Sequence, residues 1–301
     1  MRANLSEEVA QRTMLEAVYL AEEARTLYRE ENPNAGEIKI ALSLGPFGST
    51  ISPGQEYDGF YPLPYGPMGF LDDGEKTNSF GQDVERESAS IDALAKFHLD
   101  RLVVFCRDPK AWSAIDIVAF ETVPLVREVK AIRKTMAQLV HPLGANNLKP
   151  WWISCVFPKG KCPEEKCPGG PNLTARDVVA AALCGGHGPV PTAIGVNCTS
   201  PDLLPTLVNE MTLATQDCCG TDGASPWLVL YPNNGDLYDP IRKTWKVEEK
   251  EQEHKWEADL AKIVMDLSED CTGIWSGFLV GGCCQTGPME IRGLRDRFLK
   301  L

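Results

Sequence analysis

Three cysteines stand where they can do chemistry together. Cys283 and Cys284 are adjacent and follow Gly281 and Gly282 at the end of the apolar run FLV, and Cys198 closes the run GVNC. Adjacent side chains on a regular strand point to opposite faces, so one ion takes both thiolates only where the backbone leaves strand geometry, a departure that two glycines permit. Three thiolates are a soft donor set that selects zinc, and three protein ligands leave an open coordination position, as in a catalytic site. The plainer reading of the same residues is three buried apolar cysteines, the common fate of free thiols.

Polar residues also sit directly after other apolar runs: Glu121 after AF, Asn197 beside Cys198, and Asn233 and Asn234 after LVLYP. Glu121 serves a ligand or caps the helix that follows; Asn197 orients a ligand or satisfies a turn. The remaining cysteines and histidines carry less. The sequence has eleven cysteines and no apolar leader behind Met1, so they read as reduced thiols and not as a disulfide framework. Cys162 and Cys167 have no second pair at ligand spacing, and Cys218 and Cys219 fall in a polar stretch expected to be an exposed loop. His98, His141, His187 and His254 lack metal-ligand spacing, the glycines at 185, 186 and 188 follow a helix and so lack the context of a dinucleotide loop, and the acidic run Glu248 to Glu253 reads as a solvated helix start.

The elements that must position these groups alternate. Helical spacing is expected over 6–31, 86–106, 125–140, 174–184, 201–213, 255–268 and 288–299, and apolar strands over 38–44, 115–120, 151–157, 192–197, 227–231 and 277–281. Such alternation implies a parallel sheet covered by helices, either doubly wound or a (β/α) barrel. In a barrel the polar and thiol residues after the strands share one rim, where active sites of that architecture occur. A Gly/Pro/Tyr-rich stretch over 45–85 has no periodicity and reads as a long loop over that rim.

Composition removes other classes. With 30 Lys and Arg against 42 Asp and Glu, the formal net charge is −12. Nucleic acid and anionic membranes would meet the wrong sign. No apolar run approaches the ~20 residues that span a bilayer, which points to a cytoplasmic protein.

The combination of GVNC (195–198), VGGCCQTGP (280–288) and FETVP (120–124) resembles the homocysteine S-methyltransferase family, together with LGPFG (44–48), YDGFY (57–61), Phe97–His98 and WWIS (151–154). The resemblance covers essentially the whole chain in order. It implies a single-domain zinc-dependent (β/α)8 barrel over 1–301, with Cys198, Cys283 and Cys284 as zinc thiolates. Glu121 would hold the amino group of homocysteine, with Asn197 beside it, and no separate general base is identified. It further implies a small-molecule methyl donor, a sulfonium such as S-methylmethionine or S-adenosylmethionine, and a monomer, because the C-terminal extension that betaine-using relatives employ for oligomerisation is not in this sequence. The family's barrel opens with two strands that are not found here. The expectation is therefore a TIM-type barrel lacking its first two strands, with an inactive zinc-binding homologue as the alternative to an enzyme.

Overall fold

The computed structural model describes residues 6–144, 147–219, 225–235, 237–239, 244–246, 256–270 and 273–299. The order is α1 (Glu7–Glu31), β1 (Ala41–Leu44), α2 (Val84–Cys106), α3 (Pro109–Ala114), β2 (Ile117–Val123), α4 (Val126–Leu143), β3 (Trp151–Cys155), α5 (Ala175–Leu183) and β4 (Ala193–Asn197). There follow α6 (Leu204–Cys219), β5 (Trp227–Tyr231), β6 (Leu237–Asp239), β7 (Thr244–Lys246), α7 (Trp256–Asp270), β8 (Phe278–Val280) and α8 (Pro288–Phe298). Each strand and helix expected from the sequence is present within a few residues. The short helix α3 and the antiparallel pair β6–β7 were not expected. Asp108 starts α3 by accepting from the Ala111 amide, with Pro109 in its first turn.

Six strands form one parallel sheet in the order β1-β2-β3-β4-β5-β8. The order follows the chain without reversal, so there is no switch point of the doubly wound kind. Packing agrees. One face supplies Val118, Phe120, Trp151, Ile153, Ile194, Val196, Leu228 and Leu230 to a core shared with the helices. The other face gathers Ala119, Trp152, Ala193 and Val229 with Ile117, Tyr231 and Leu279, all strand residues. Helices on one face and strand side chains alone on the other are the layering of a TIM-like barrel. Among the described residues no helix is long and apolar enough to cross a membrane.

Two features of the loops depart from expectation. Helix α6 runs through Cys218 and Cys219, and Cys218 is disulfide-bonded to Cys184 at the C-terminal cap of α5, with their Cα atoms 5.8 Å apart. The run TLATQD continues the helical spacing and contains no breaker, which the polar character of the stretch concealed. Cys162 is buried in the main core and donates to the carbonyl of Pro124, whereas Cys167 is exposed. The acidic run at 248–253 and His254 lie outside the described residues.

The long loop after β1 is anchored by a buried charge. The Glu128 carboxylate on α4 accepts from the Phe47 amide (2.8 Å), the Tyr61 hydroxyl (2.7 Å) and His98 Nε2 (2.9 Å). On its far side, His98 Nδ1 meets Arg101 Nη2 at 2.7 Å. A guanidinium only donates, so Nδ1 accepts and His98 is the neutral Nε2–H tautomer. Burial pushes the His98 pKa down, outweighing the opposite pull of Glu128. For Glu128, burial disfavours the charge, yet donation from His98, Phe47 and Tyr61 overrides it and holds the pKa below normal. Both folded values lie below the unfolded ones, so both groups stabilise above the unfolded pKa and the contribution is lost as pH falls. The histidine acts first, below about pH 6.5. Denaturation in urea at pH 7.5 and 5.5 is expected to show a lower midpoint in acid, and His98→Gln is expected to shrink that difference. An identical acid loss in the variant would show that other groups carry it.

Candidate active site

The sheet delivers its polar residues to the C-terminal ends of the strands. Along the strand-only face residues recur with period two, so Glu121 is in phase with Ala119, Ser154 with Trp152, and Tyr231 with Val229. The Glu121 carboxylate accepts from the Ser43 hydroxyl on one oxygen and from the Tyr231 hydroxyl, at 3.1 Å, on the other. Tyr231 OH in turn contacts Ser154 Oγ and accepts from Trp152 Nε1 at 3.2 Å. Burial first, and then the charge of Glu121, push the Tyr231 pKa upward, so the phenol stays protonated and donates to the carboxylate. Ser43, Ser154 and Tyr231 were not singled out from sequence. Their signal was a polar atom inside an otherwise apolar strand, at the parity of Glu121.

Three cysteines from two strand ends converge beside this carboxylate. Cys198 follows β4, and Cys283 and Cys284 follow β8, so the two ends are separated by β5. Neighbouring strands lie about 4.8 Å apart, which would leave second neighbours about 9.6 Å apart. The Cα atoms of Cys198 and Cys283 are only 5.6 Å apart. The end of β5 draws them together: the Cys198 amide donates to the Tyr231 carbonyl (3.3 Å), the Cys283 amide to the Pro232 carbonyl (2.8 Å), and the Asn234 amide to the Cys284 carbonyl (3.0 Å). The backbone leaves strand geometry at Gly281–Gly282, where a Cβ on Gly282 would come within 2.7 Å of the Thr286 side chain.

The three sulfur atoms lie within 4.8 Å of one another, Cys198 to Cys284 at 3.7 Å and Cys283 to Cys284 at 3.9 Å. A tetrahedral ion with S–Zn bonds of ~2.3 Å has edges of about 3.8 Å, so two edges of the sulfur triangle already have the dimension that zinc requires. The third is drawn in, because Cys198 and Cys283 are bonded to each other. Reduction of that bond frees three thiols for one cation. Burial and the charges of Glu121 and Glu56 raise the Cys284 pKa. A divalent cation reverses that balance and favours the thiolate.

Asn197 sits beside Cys198 but is 1% exposed and turned elsewhere. Its Oδ1 accepts from the Thr122 amide (2.8 Å) and its Nδ2 donates to Thr122 Oγ1 (2.7 Å). Thr122 has φ of 59°, a costly conformation for a β-branched residue, and Cys198 (47°) and Gln285 (62°) share it. Three of the four described non-glycine residues with positive φ therefore flank the site. Asn197 thus fixes the strained turn directly after Glu121.

Known proteins resemble the chain along most of its length. The homocysteine S-methyltransferase family matches residues 1–298. The homocysteine S-methyltransferase of Escherichia coli strain K12 is 28% identical over 284 residues, covering 93% of this chain and 69% of the relative. A selenocysteine Se-methyltransferase of Brassica oleracea var. italica is 25% identical over 301 residues, covering 97% and 69%. The solved metallated form of the homocysteine methyltransferase MmuM from Escherichia coli is 26% identical, with a TM-score of 0.56 over 97% of this chain and 73% of that one. Matched along nearly its whole length, the chain belongs to the homocysteine S-methyltransferase family.

Proposed function

We propose that the protein transfers a methyl group from a sulfonium donor, S-methylmethionine or S-adenosylmethionine, to the thiol of L-homocysteine, giving methionine, with Zn²⁺ held by Cys198, Cys283 and Cys284. The convergence of three cysteine sulfurs and the Glu121 carboxylate on one rim carries the reading. When bound, zinc lowers the pKa of a coordinated thiol from about 8.5 and so makes the acceptor sulfur nucleophilic at neutral pH. In the transfer a C–S bond forms at homocysteine while the donor's S⁺–CH₃ bond breaks. The electron pair of that bond stays on the donor sulfur, which becomes a neutral thioether, and the thiol proton passes to solvent.

The chain's own residues bind and orient. Glu121 receives the ammonium of homocysteine, its two oxygens held in place by Ser43 and Tyr231. Asn197 acts on the substrate through the backbone, by fixing Thr122. The strand-only face of the sheet is the barrel interior, and the six strands are the third to eighth of an eight-stranded barrel. The chain-order parallel sheet supports that count, as does coverage of 73% of the MmuM chain by nearly all of this one. The inactive-homologue alternative rested on the strand count alone and loses ground to the assembled rim.

Zinc-loaded, reduced protein is expected to methylate homocysteine with one of the two sulfoniums. Glu121→Gln is expected to raise the homocysteine KM at least roughly tenfold, the order of one lost charge-assisted contact, with bound zinc unchanged. Turnover with betaine and with neither sulfonium would reverse the donor assignment. No transfer by folded, zinc-loaded protein would overturn the function.

A further inference from the structure

A second disulfide lies away from the sulfur cluster of the rim. Cys184 caps the C-terminus of α5, and its partner Cys218 is in the last turn of α6, at a sequence separation of 34. The loop that this bond closes contains the whole of β4 and, directly after it, Cys198. Between parallel strands the connecting helices run back along the sheet, so the ends of α5 and α6 lie at the start of β4, roughly 15 Å of strand away from Cys198. The position of Cys184 does not depend on the bond. Buried Arg133 on α4 donates to the carbonyls of Ala181 (2.9 Å), Cys184, Gly185 (3.1 Å), Gly188 (2.7 Å) and Pro189 (3.3 Å). Met211 and Ala214, two turns and one turn before Cys218, bury α6 in the main core. The bond therefore joins two sulfurs that packing has already brought together. Both cysteines are only partly buried, within reach of a small thiol or disulfide in solution, whereas the free thiols of Cys155 and Cys162 are buried and pushed up in pKa by that burial.

We propose that Cys184 and Cys218 form a reversible redox staple, which under oxidising conditions fixes the segment carrying β4 and Cys198 while the metal site is empty. Zinc, when bound, ties Cys198 to the end of β8, and its affinity counts toward folding. The staple acts on the same strand from the other end and needs no ion, because closing a loop restricts the unfolded chain whatever occupies the rim. Closure is a thiol–disulfide exchange with an oxidised small thiol such as glutathione disulfide. The thiolate of one cysteine attacks that disulfide and releases one small thiol, and the second cysteine then displaces the other. The protein gives up two protons and two electrons, and the small disulfide becomes two thiols. Reduction reverses the step and leaves the fold in place, since Arg133 holds Cys184 with or without the bond.

The test melts metal-free wild type and Cys184→Ser, each equilibrated with glutathione disulfide or with dithiothreitol. The bond between Cys198 and Cys283 is available to both proteins, so its effect cancels in the comparison. With glutathione disulfide, wild type is expected to melt roughly 5–10 °C above the variant, the order of one closed loop of this length in a chain of this size. With dithiothreitol the two are expected to melt together. Peptide mapping is expected to join Cys184 to Cys218 in the oxidised wild type alone, and Cys218→Ser is expected to melt as Cys184→Ser does. Oxidised samples are then held between the two melting points, reduced and given zinc, and wild type is expected to recover several-fold more bound zinc than C184S. A Cys184 that stays unpaired or pairs elsewhere would overturn the staple. So would equal melting of the oxidised proteins, or a loss of stability in both variants that is the same in the two buffers, which would assign the pair to packing. Equal recovery of zinc would overturn the protective role. Melting and zinc content are read without turnover, so failure of the methyl-transfer reading shows separately, as absent product.

Discussion

Cys283→Ala is expected to reduce bound zinc from about one ion per chain to near zero and to remove methyl transfer. Cys283 is fixed by its own amide on the Pro232 carbonyl and faces Cys198 across the end of β5, so no neighbouring thiol can replace it. Two remaining thiols form an incomplete set for a tetrahedral ion, and loss of one ligand typically removes most of the affinity of such a site. Activity is expected to fall by at least roughly 10³-fold, because acceptor activation depends on the complete set. Cys167→Ser is the control: Cys167 is exposed and unbonded, and its replacement is expected to leave zinc and turnover unchanged. Both proteins are assayed under reductant, since the bond between Cys198 and Cys283 excludes the cation. Metal analysis by mass spectrometry decides the matter. Equal zinc in the Cys283→Ala variant and wild type would remove the site.

Gly195→Ala is expected to prevent folding although it adds only one methyl group. Gly195 lies in the middle of β4, paired with Val229 of β5, and a Cβ there would overlap the Val229 carbonyl, with the carbonyl carbon at 2.6 Å and the Cα at 2.8 Å. The obstacle is backbone, so no rotamer relieves it. Strands β4 and β5 would have to part along a register that runs from Ala193–Trp227 to Asn197–Tyr231. Severing that pairing also separates Cys198 from Tyr231 and hence from Cys283. The cost is expected to exceed about 4 kcal/mol, the range reserved for changes that break a core. That is a large part of the ~5–15 kcal/mol that holds a domain together. The expected observation is insoluble chain, or soluble chain without a cooperative thermal transition. A soluble variant melting within a few degrees of wild type would show that β4 and β5 can accommodate the methyl group.

The two substitutions differ in how far the sequence announces them. GVNC and GGCC declare themselves by composition: thiols and glycines at the ends of apolar runs, where a barrel keeps its rim. Gly195, three residues before Cys198, looks like any strand glycine until the opposing carbonyl is in place. Glu121 was legible because a carboxylate after AF is conspicuous, whereas Ser43 and Tyr231 become its partners, with Ser154 on Tyr231, only when four strands align their parity.

The sequence by itself determined the alternation of strands and helices, the acidic charge balance, and the residue types that end the strands. Those properties are local, set by hydrophobic spacing, helix-stopping residues and the charge count. Only the tertiary structure decided between a doubly wound sheet and a barrel-like one, because that choice turns on strand order and on which face the helices cover. It also decided that Asn197 grips Thr122 instead of facing the sulfurs, and that Cys184 meets Cys218. Above all it closed the distance between Cys198 and Cys283, 85 residues apart in the chain. No propensity encodes that approach; it follows from β5 lying between two strand ends, with the carbonyls of Tyr231 and Pro232 at its end accepting from the amides of both.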